Sequence, residues 1–259
     1  MTATEDSGNW RTLPSFYKRP VVLCADAHRH SGLSPSLDFA FASKSTAIPL
    51  GVGEFQEALQ HYPIVFAPAD LPVPLAVTGL VKGGNLFVSP DGSWRSGAYV
   101  PDYLQRYPFI LGTGVNAETA PLVVDESCAR FVDARADRSA VRLFHDDGSP
   151  TELTGQAVSN CLSAHHEQAR TMEFANALRE ARILTAGRAR ITSPDGTSQT
   201  LEGFSNVDER AYRTLPDSVL SRWFEAGWLD ALALQRASHH NWERLADLYL
   251  ERAAERSGA

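Results

Sequence analysis

GNLFVSPDGSWRSGAYVPDYLQRYPFIL, residues 84–111, is densely loaded with aromatic side chains. It holds a short apolar strand over residues 85–88, a Pro90-Asp91-Gly92 turn, and then Trp94, Tyr99, Tyr103, Tyr107 and Phe109 at close intervals. Each ring can bury roughly 150–250 Å², so the cluster can anchor the core of a β-rich domain. The functional alternative is an exposed groove for a peptide or a surface.

Working outward, residues 75–82 and 85–88 read as an antiparallel pair turned at Lys82-Gly83-Gly84, a Gly-Gly hairpin signal. Upstream, residues 20–24 and 61–66 are apolar and β-prone, Phe39 and Phe41 sit at strand spacing, and residues 49–60 can run into a short helix. Downstream, Pro101 opens a helical turn, and residues 109–111, 122–124 and 142–144 are further strands, the last closed by Asp146-Asp147-Gly148.

The pattern changes at Ser149-Pro150-Thr151-Glu152. Ser as N-cap, Pro at the first helical position and Glu three residues after the cap predict a long helix. Val158, Leu162, His165, Ala169, Met172, Ala175 and Leu178 recur at steps of three and four, an apolar stripe for the sheet. A hairpin follows around Ser193-Pro194-Asp195-Gly196, then two helices from Pro216 separated at Gly227, the second over residues 229–250. SPDG also occurs at Ser89, and two turns explain the repeat. The expected fold is α+β: a twisted antiparallel sheet with short helical insertions over residues 20–148, packed by the long helix and a C-terminal helical pair over 149–259. Both halves would share one core in a single domain of residues 20–250, behind a flexible arm of residues 1–19.

With 259 residues and 43% hydrophobic side chains the chain can bury a sizeable core. A formal net charge of −7 argues against nucleic acid, which demands a concentrated basic surface. The N-terminal residues lack the basic start and apolar run of a secretory signal, and residues 71–81 are interrupted by Pro72, Pro74 and Gly79. These features predict a soluble, cytoplasmic protein with no membrane insertion. Cys24, Cys128 and Cys161 are odd in number and far apart, hence free thiols.

Histidines are the natural place to seek metal ligands. His145-Asp146-Asp147 matches the His-x-Asp half of a facial triad, with His239 or His240 as a later ligand, but hairpin closure explains the same residues. His28 and His30 would face one side of a strand and could share a metal with His61 or Glu54; otherwise they form a polar loop edge. His165 on the helix stripe reads as a hydrogen-bonded structural residue. Gly51-Val52-Gly53-Glu54 lacks the Lys-Ser/Thr of a phosphate loop, and Gly112-Thr113-Gly114 fails likewise. There is neither a nucleophile elbow nor an H-E-x-x-H helix. Arg106, Glu54, Asp125-Glu126 and Asp208-Glu209 read as buried or capping charges.

Glu54-Phe55, Tyr62-Pro63-Ile64-Val65-Phe66, Asn85-Leu86-Phe87-Val88, Gly92-x-Trp94, Tyr99-Val100-Pro101, Arg106-Tyr107-Pro108-Phe109, Leu143-Phe144 with Gly148, and Leu201-x-Gly203-Phe204-x-x-Val207-Asp208-Glu209 together resemble the SapC family of bacterial proteins, over about residues 20–245. The family takes its name from surface-layer (S-layer) loci. Other members neighbour TonB-dependent receptors, flavin-dependent tryptophan-halogenase-like proteins and cupin-like proteins. The resemblance implies a context rather than a reaction. The family pattern asks for a turn at residues 143–148 and not for a His there. In the closing helix, Gln235 stands where a family His is expected, and His239-His240 replace apolar or small residues.

The leading expectation is an accessory or binding protein for a peptide, surface-layer or outer-membrane substrate, with no cofactor. Glu54, Trp94, Tyr99, Arg106, Tyr107 and Phe109 would line the ligand groove, Arg106 as its charged anchor. The alternative is an enzyme: an Fe- or Zn-dependent oxygenase using His28, His30, His61 or His145, or a partner of a halogenase-like enzyme modifying a peptide or amino acid.

Overall fold

The computed structural model describes residues 14–80, 84–112, 117–192 and 198–257. In chain order its principal elements are β1 (Pro20–Val22), α1 (Ala25–His28), β2 (Ser31–Leu33), β3 (Ala47–Pro49), α2 (Phe55–Ala58), β4 (Ile64–Phe66), β5 (Pro74–Val77), α3 (Asp102–Gln105), β6 (Phe109–Leu111), β7 (Leu122–Asp125), β8 (Phe131–Asp133) and β9 (Val141–Arg142). They continue with α4 (Glu152–Ala181), β10 (Leu184–Thr192), β11 (Ser198–Val207), α5 (Glu209–Arg213), α6 (Asp217–Glu225), α7 (Trp228–Ala237) and α8 (Asn241–Ser257). Every strand pairing among these is antiparallel, so the α+β class holds.

Two compact units interleave along the chain. The first takes residues up to 41 and 104–166, the second residues 42–103 and 167–259. In the first, β1-β7-β6 and β8-β2-β9 are three-stranded sheets. Leu33, Phe109, Val124, Leu143, Phe144 and Cys161 form its main core. In the second, the five-stranded sheet β10-β11-β4-β5-β3 packs a larger core in which Phe55, Tyr62, Phe66, Phe87, Phe174 and Leu232 are almost fully enclosed. Between β10 and β11, Gly187 faces Phe204, and a Cβ at Gly187 would lie 2.2 Å from that ring. Only glycine admits the ring there, beside a break in strand register.

Several local expectations are corrected. The long helix starts at Glu152, not at a Ser149 cap, because Ser149 N–H and Oγ–H are both donated to Asp147 Oδ1 (2.9 and 2.6 Å) within the preceding turn. Thr151 immediately precedes the helix: its hydroxyl donates to the Arg142 carbonyl (2.7 Å), and its own carbonyl accepts the Gly155 N–H. The buried face of α4 is set one position away from the predicted stripe at Ala157, Cys161 and Thr171, while Ala175 and Leu178 are buried as the stripe predicts. Thr154, Ala157 and Cys161 are buried in the first unit and Thr171, Phe174, Ala175 and Leu178 in the second, whereas Val158, His165, Ala169 and Met172 are exposed. Phe174 has more apolar surface to remove from water than Met172 can offer, which favours this rotation.

The predicted helix over residues 229–250 is two helices. Around the break, Ser238 Oγ accepts the Ile64 N–H (2.8 Å) and donates to the Gln235 carbonyl, while Asn241 Nδ2 donates to the carbonyls of Leu59, Tyr62 and Ser238. These side chains hold strand and loop carbonyls of the second unit where a continuous helix would have kept its ladder. Phe39 precedes a 3-10 turn over Ala40–Ala42 rather than lying on a strand. Residues 85–88 give one backbone bond to the segment after β5, Leu86 N–H to Thr78 O (2.8 Å), and an isolated bridge from Val88 to Trp94 instead of a full strand. Tyr17, in the stretch expected to be a mobile arm, is 4% exposed. Residues 1–13, the Lys82-Gly83 turn, Thr113-Gly114 and the Ser193–Gly196 turn lie outside the described residues.

Candidate functional site

The six residues expected to line one groove fall into two clusters. In the second unit, Glu54 ends the 3-10 turn Val52–Glu54 and is 7% exposed. Its Oε2 accepts the Gly51 N–H (2.6 Å), and its Oε1 accepts both the Tyr99 hydroxyl (2.8 Å) and the Asp102 N–H (2.9 Å). The Tyr99 hydroxyl also lies 3.3 Å from Asp102 Oδ1. Burial pushes the Glu54 carboxyl above its ordinary value, the hydrogen bonds from Gly51 and Asp102 oppose this, and the Asp102 charge adds to it. The Tyr99 phenol is likewise driven upward, by burial first and then by the Glu54 charge.

The Tyr99 carbonyl accepts Trp94 Nε1–H (3.1 Å) and the Tyr62 hydroxyl, and the Trp94 ring stacks on Phe87 at 5.9 Å. Both Glu54 oxygens are thus engaged by the chain itself, tying residues 94–102 to residues 51–54. The paired glycines in front of Glu54 have a geometric reason. A Cβ at Gly51 or Gly53 would lie 2.5 or 3.1 Å from the Glu167 side chain, whose Oε1 accepts the Gly53 N–H (2.6 Å). The backbone that a phosphate loop would offer to an anion is held here by the protein's own carboxylate.

In the first unit, Tyr107 and Phe109 are 7% and 5% exposed and are organised around Asp125. Asp125 Oδ1 accepts the N–H groups of Arg19 and Ser127 (2.9 Å each); Oδ2 accepts the Lys18 N–H (2.9 Å) and the Tyr107 hydroxyl (3.2 Å). Burial alone would raise the Asp125 carboxyl, but the bonds from Ser127, Lys18 and Arg19 outweigh it and hold the carboxyl below its ordinary value. Tyr17 packs edge-on against Tyr107 at 5.3 Å and donates its hydroxyl to the Phe109 carbonyl (2.7 Å).

Tyr107 also lines a recess of about 240 Å³ whose walls include Phe16, Phe41, Lys18, Asp38 and Arg130. The Phe41 ring lies 4.2 Å from Tyr107 and 5.3 Å from Phe16. Phe16 has a φ of 79°, in the left-handed region that bulky residues avoid at a cost of order 1–3 kcal/mol. Such a backbone persists only where its surroundings hold it. Arg130 is positioned by donation from Nε to the Ser34 carbonyl (3.1 Å), and neither Lys18 nor Arg130 joins an ion pair among the described residues. Cys128, also on the wall, has its thiol pushed up by burial and is a poor nucleophile.

The remaining candidates are dispersed. Arg106 is half-buried in the first unit, where its charge partly opposes the burial that lifts the Cys161 thiol to about 11. His28 ends α1 instead of lying on a strand, so His28 and His30 do not share a strand face. His28 Nδ1 meets the Cys24 backbone (3.1 Å to O), and Nε2 lies 3.6 Å from Glu126. His30 and His145 are exposed, and His145 opens the tight turn in which Gly148 N–H reaches its carbonyl (3.0 Å). Gln235, fully buried, donates to the Ile64 carbonyl (2.8 Å) and lies 2.9 Å from His239 Nε2. No group of three His, Cys, Asp or Glu that could hold a metal ion occurs among the described residues.

The sequence marks Asp125 as a buried or capping charge but gives no sign of Tyr17, Lys18, Asp38 or Arg130. A carboxylate closing the apolar run 122–124 was the available signal; the others come from segments without periodicity. No described helix is long and apolar enough to cross a membrane. No curated protein and no solved structure matches the chain. The SapC family model matches residues 23–245, most of the chain, and the protein belongs to the SapC family.

Proposed function

We propose that this SapC protein is a binding or accessory protein with no catalytic step of its own, holding a peptide segment of a surface-layer or outer-membrane substrate in the cytoplasm before export or modification. The observation that carries the reading is the recess beside Tyr107, where three rings and two cations free of ion pairs among the described residues meet around about 240 Å³. Rings supply contact area at low entropic cost and cations supply orientation, the division of labour found in peptide-binding surfaces. The S-layer and outer-membrane context of the family supports the choice of substrate.

The test is a titration of the full chain with peptides drawn from surface-layer and outer-membrane proteins, beside the variants Phe41→Ala and Lys18→Glu. Both residues lie on the recess wall and neither is in the enclosed core. At least one peptide should bind the wild type and lose about tenfold or more in affinity to each variant. Binding unaffected by either change, or no peptide binding at all, overturns the proposal.

A further inference from the structure

We propose that the recess beside Tyr107 recognises the carboxyl-terminal residue of a polypeptide, taking a large apolar or aromatic side chain against its ring-lined wall and the free α-carboxylate on Lys18 and Arg130. This rests on the binding role proposed above and specifies which part of a peptide is held.

Three features lead to it. The first is size. At about 240 Å³ the recess lies below the roughly 300–1,000 Å³ of sites for drug-sized ligands, so it suits one residue and not an extended run. The second is the chemistry of the lining: Phe16, Phe41 and Tyr107 pack on one another at centroid distances of 5.3 and 4.2 Å, a continuous apolar wall that gives the slot one face for a single side chain. The third is charge. Lys18 and Arg130 border this slot, and neither has an ion-pair partner among the described residues. The backbone of an internal peptide segment presents only neutral amides to such a pair, whereas a chain end presents a carboxylate, which a guanidinium can grip with two parallel hydrogen bonds.

Asp38 is the one acidic side chain on the wall among the described residues. Its Oδ1 accepts the Ala40 N–H (2.7 Å), which fixes the side chain, and its charge suits the last peptide N–H of the ligand, close to the carboxylate but of opposite polarity. The wall therefore offers cations for a carboxylate and an anion for a peptide N–H, the two kinds of group a polypeptide end presents.

The experiment uses the full chain, with binding followed by NMR chemical-shift titration against N-acetyl-Gly-Gly-Phe, its carboxamide, N-acetyl-Gly-Gly-Ala and free phenylalanine. The acid should bind at least about tenfold more tightly than the carboxamide, because a charge-assisted contact is lost on amidation, and more tightly than the alanine peptide. Lys18→Gln and Arg130→Gln should each reduce the acid–amide difference. Lys18 is an exposed side chain whose backbone N–H keeps its bond to Asp125, so that variant retains the fold. Equal binding of acid and carboxamide overturns the chain-end inference while leaving the broader peptide-binding role intact. Free phenylalanine binding as tightly as the acetylated peptide overturns it too, in favour of a small-molecule site. Failure of every one of these short peptides also overturns the chain-end inference, whereas the broader role falls only if the surface-layer and outer-membrane peptides fail as well.

Discussion

Replacing Asp125 with Asn changes one atom and breaks a specific pattern. In the native protein both carboxylate oxygens accept two donors each, three of them backbone N–H groups. An amide nitrogen in place of Oδ2 confronts the Lys18 N–H with another donor, although the Tyr107 hydroxyl can rotate to accept. One partly buried N–H is orphaned and the bonds to a charged acceptor become bonds to a neutral one. At about 1–3 kcal/mol for the orphan, with weaker remaining bonds, we expect Asp125→Asn to lose about 2–4 kcal/mol. Urea unfolding followed by tyrosine fluorescence and circular dichroism should show the midpoint lowered by on the order of 1 M.

The pH dependence gives a second readout of the same substitution. The folded carboxyl titrates below its ordinary 3.8. The unfolded chain therefore binds more protons in that window, and the stabilisation is complete above 3.8 and lost as the pH falls through the folded value. Asn does not titrate, so the gap between wild type and variant should narrow from about pH 7 to about pH 3. A gap under about 0.5 kcal/mol at neutral pH, or one that does not change on acidification, would refute the four-donor account.

Glu54 should behave oppositely. Its folded carboxyl is raised above 4.5, so its contribution is most favourable below 4.5 and is lost as pH rises through the folded value; a carboxyl carbon titration by NMR should place its midpoint above 4.5, and one at or below that value contradicts the burial argument. Gly187→Ala should cost about 1–3 kcal/mol, because the new methyl meets the Phe204 ring; an unchanged thermal midpoint would show that the ring can move aside. Phe174→Ala should cost about 3–5 kcal/mol while Met172→Ala costs well under 1, a contrast that reports which face of α4 is buried.

Much of the secondary structure was legible because its causes are local. The strands at residues 64–66, 109–111 and 122–125 follow from short β-branched and aromatic runs, and the break at Gly227 from its left-handed φ of 74°. Aromatic density around Trp94–Phe109 correctly marked where core would form. What it could not mark is that Trp94 and Tyr99 pack with Glu54 in one unit while Tyr107 and Phe109 pack with Tyr17 and Asp125 in the other. The helix start differs for a local reason: Ser149 reads as a cap in sequence, but the Asp147 carboxylate two residues earlier draws its N–H and hydroxyl into the preceding turn.

The sequence by itself determined the α+β class, the family and the identity of Glu54 and Asp125 as charges the fold must satisfy, since composition, periodicity and residue chemistry depend on neighbours a few positions away. The recess was decided by tertiary structure alone. Phe16 and Lys18 come from a stretch without periodicity, Asp38 and Phe41 from a loop, Tyr107 from beyond α3 and Arg130 from the turn before β8. Their meeting depends on contacts such as Lys18 N–H to Asp125, 107 positions apart. No local pattern encodes such a contact, because its free energy appears only when the intervening chain has already folded.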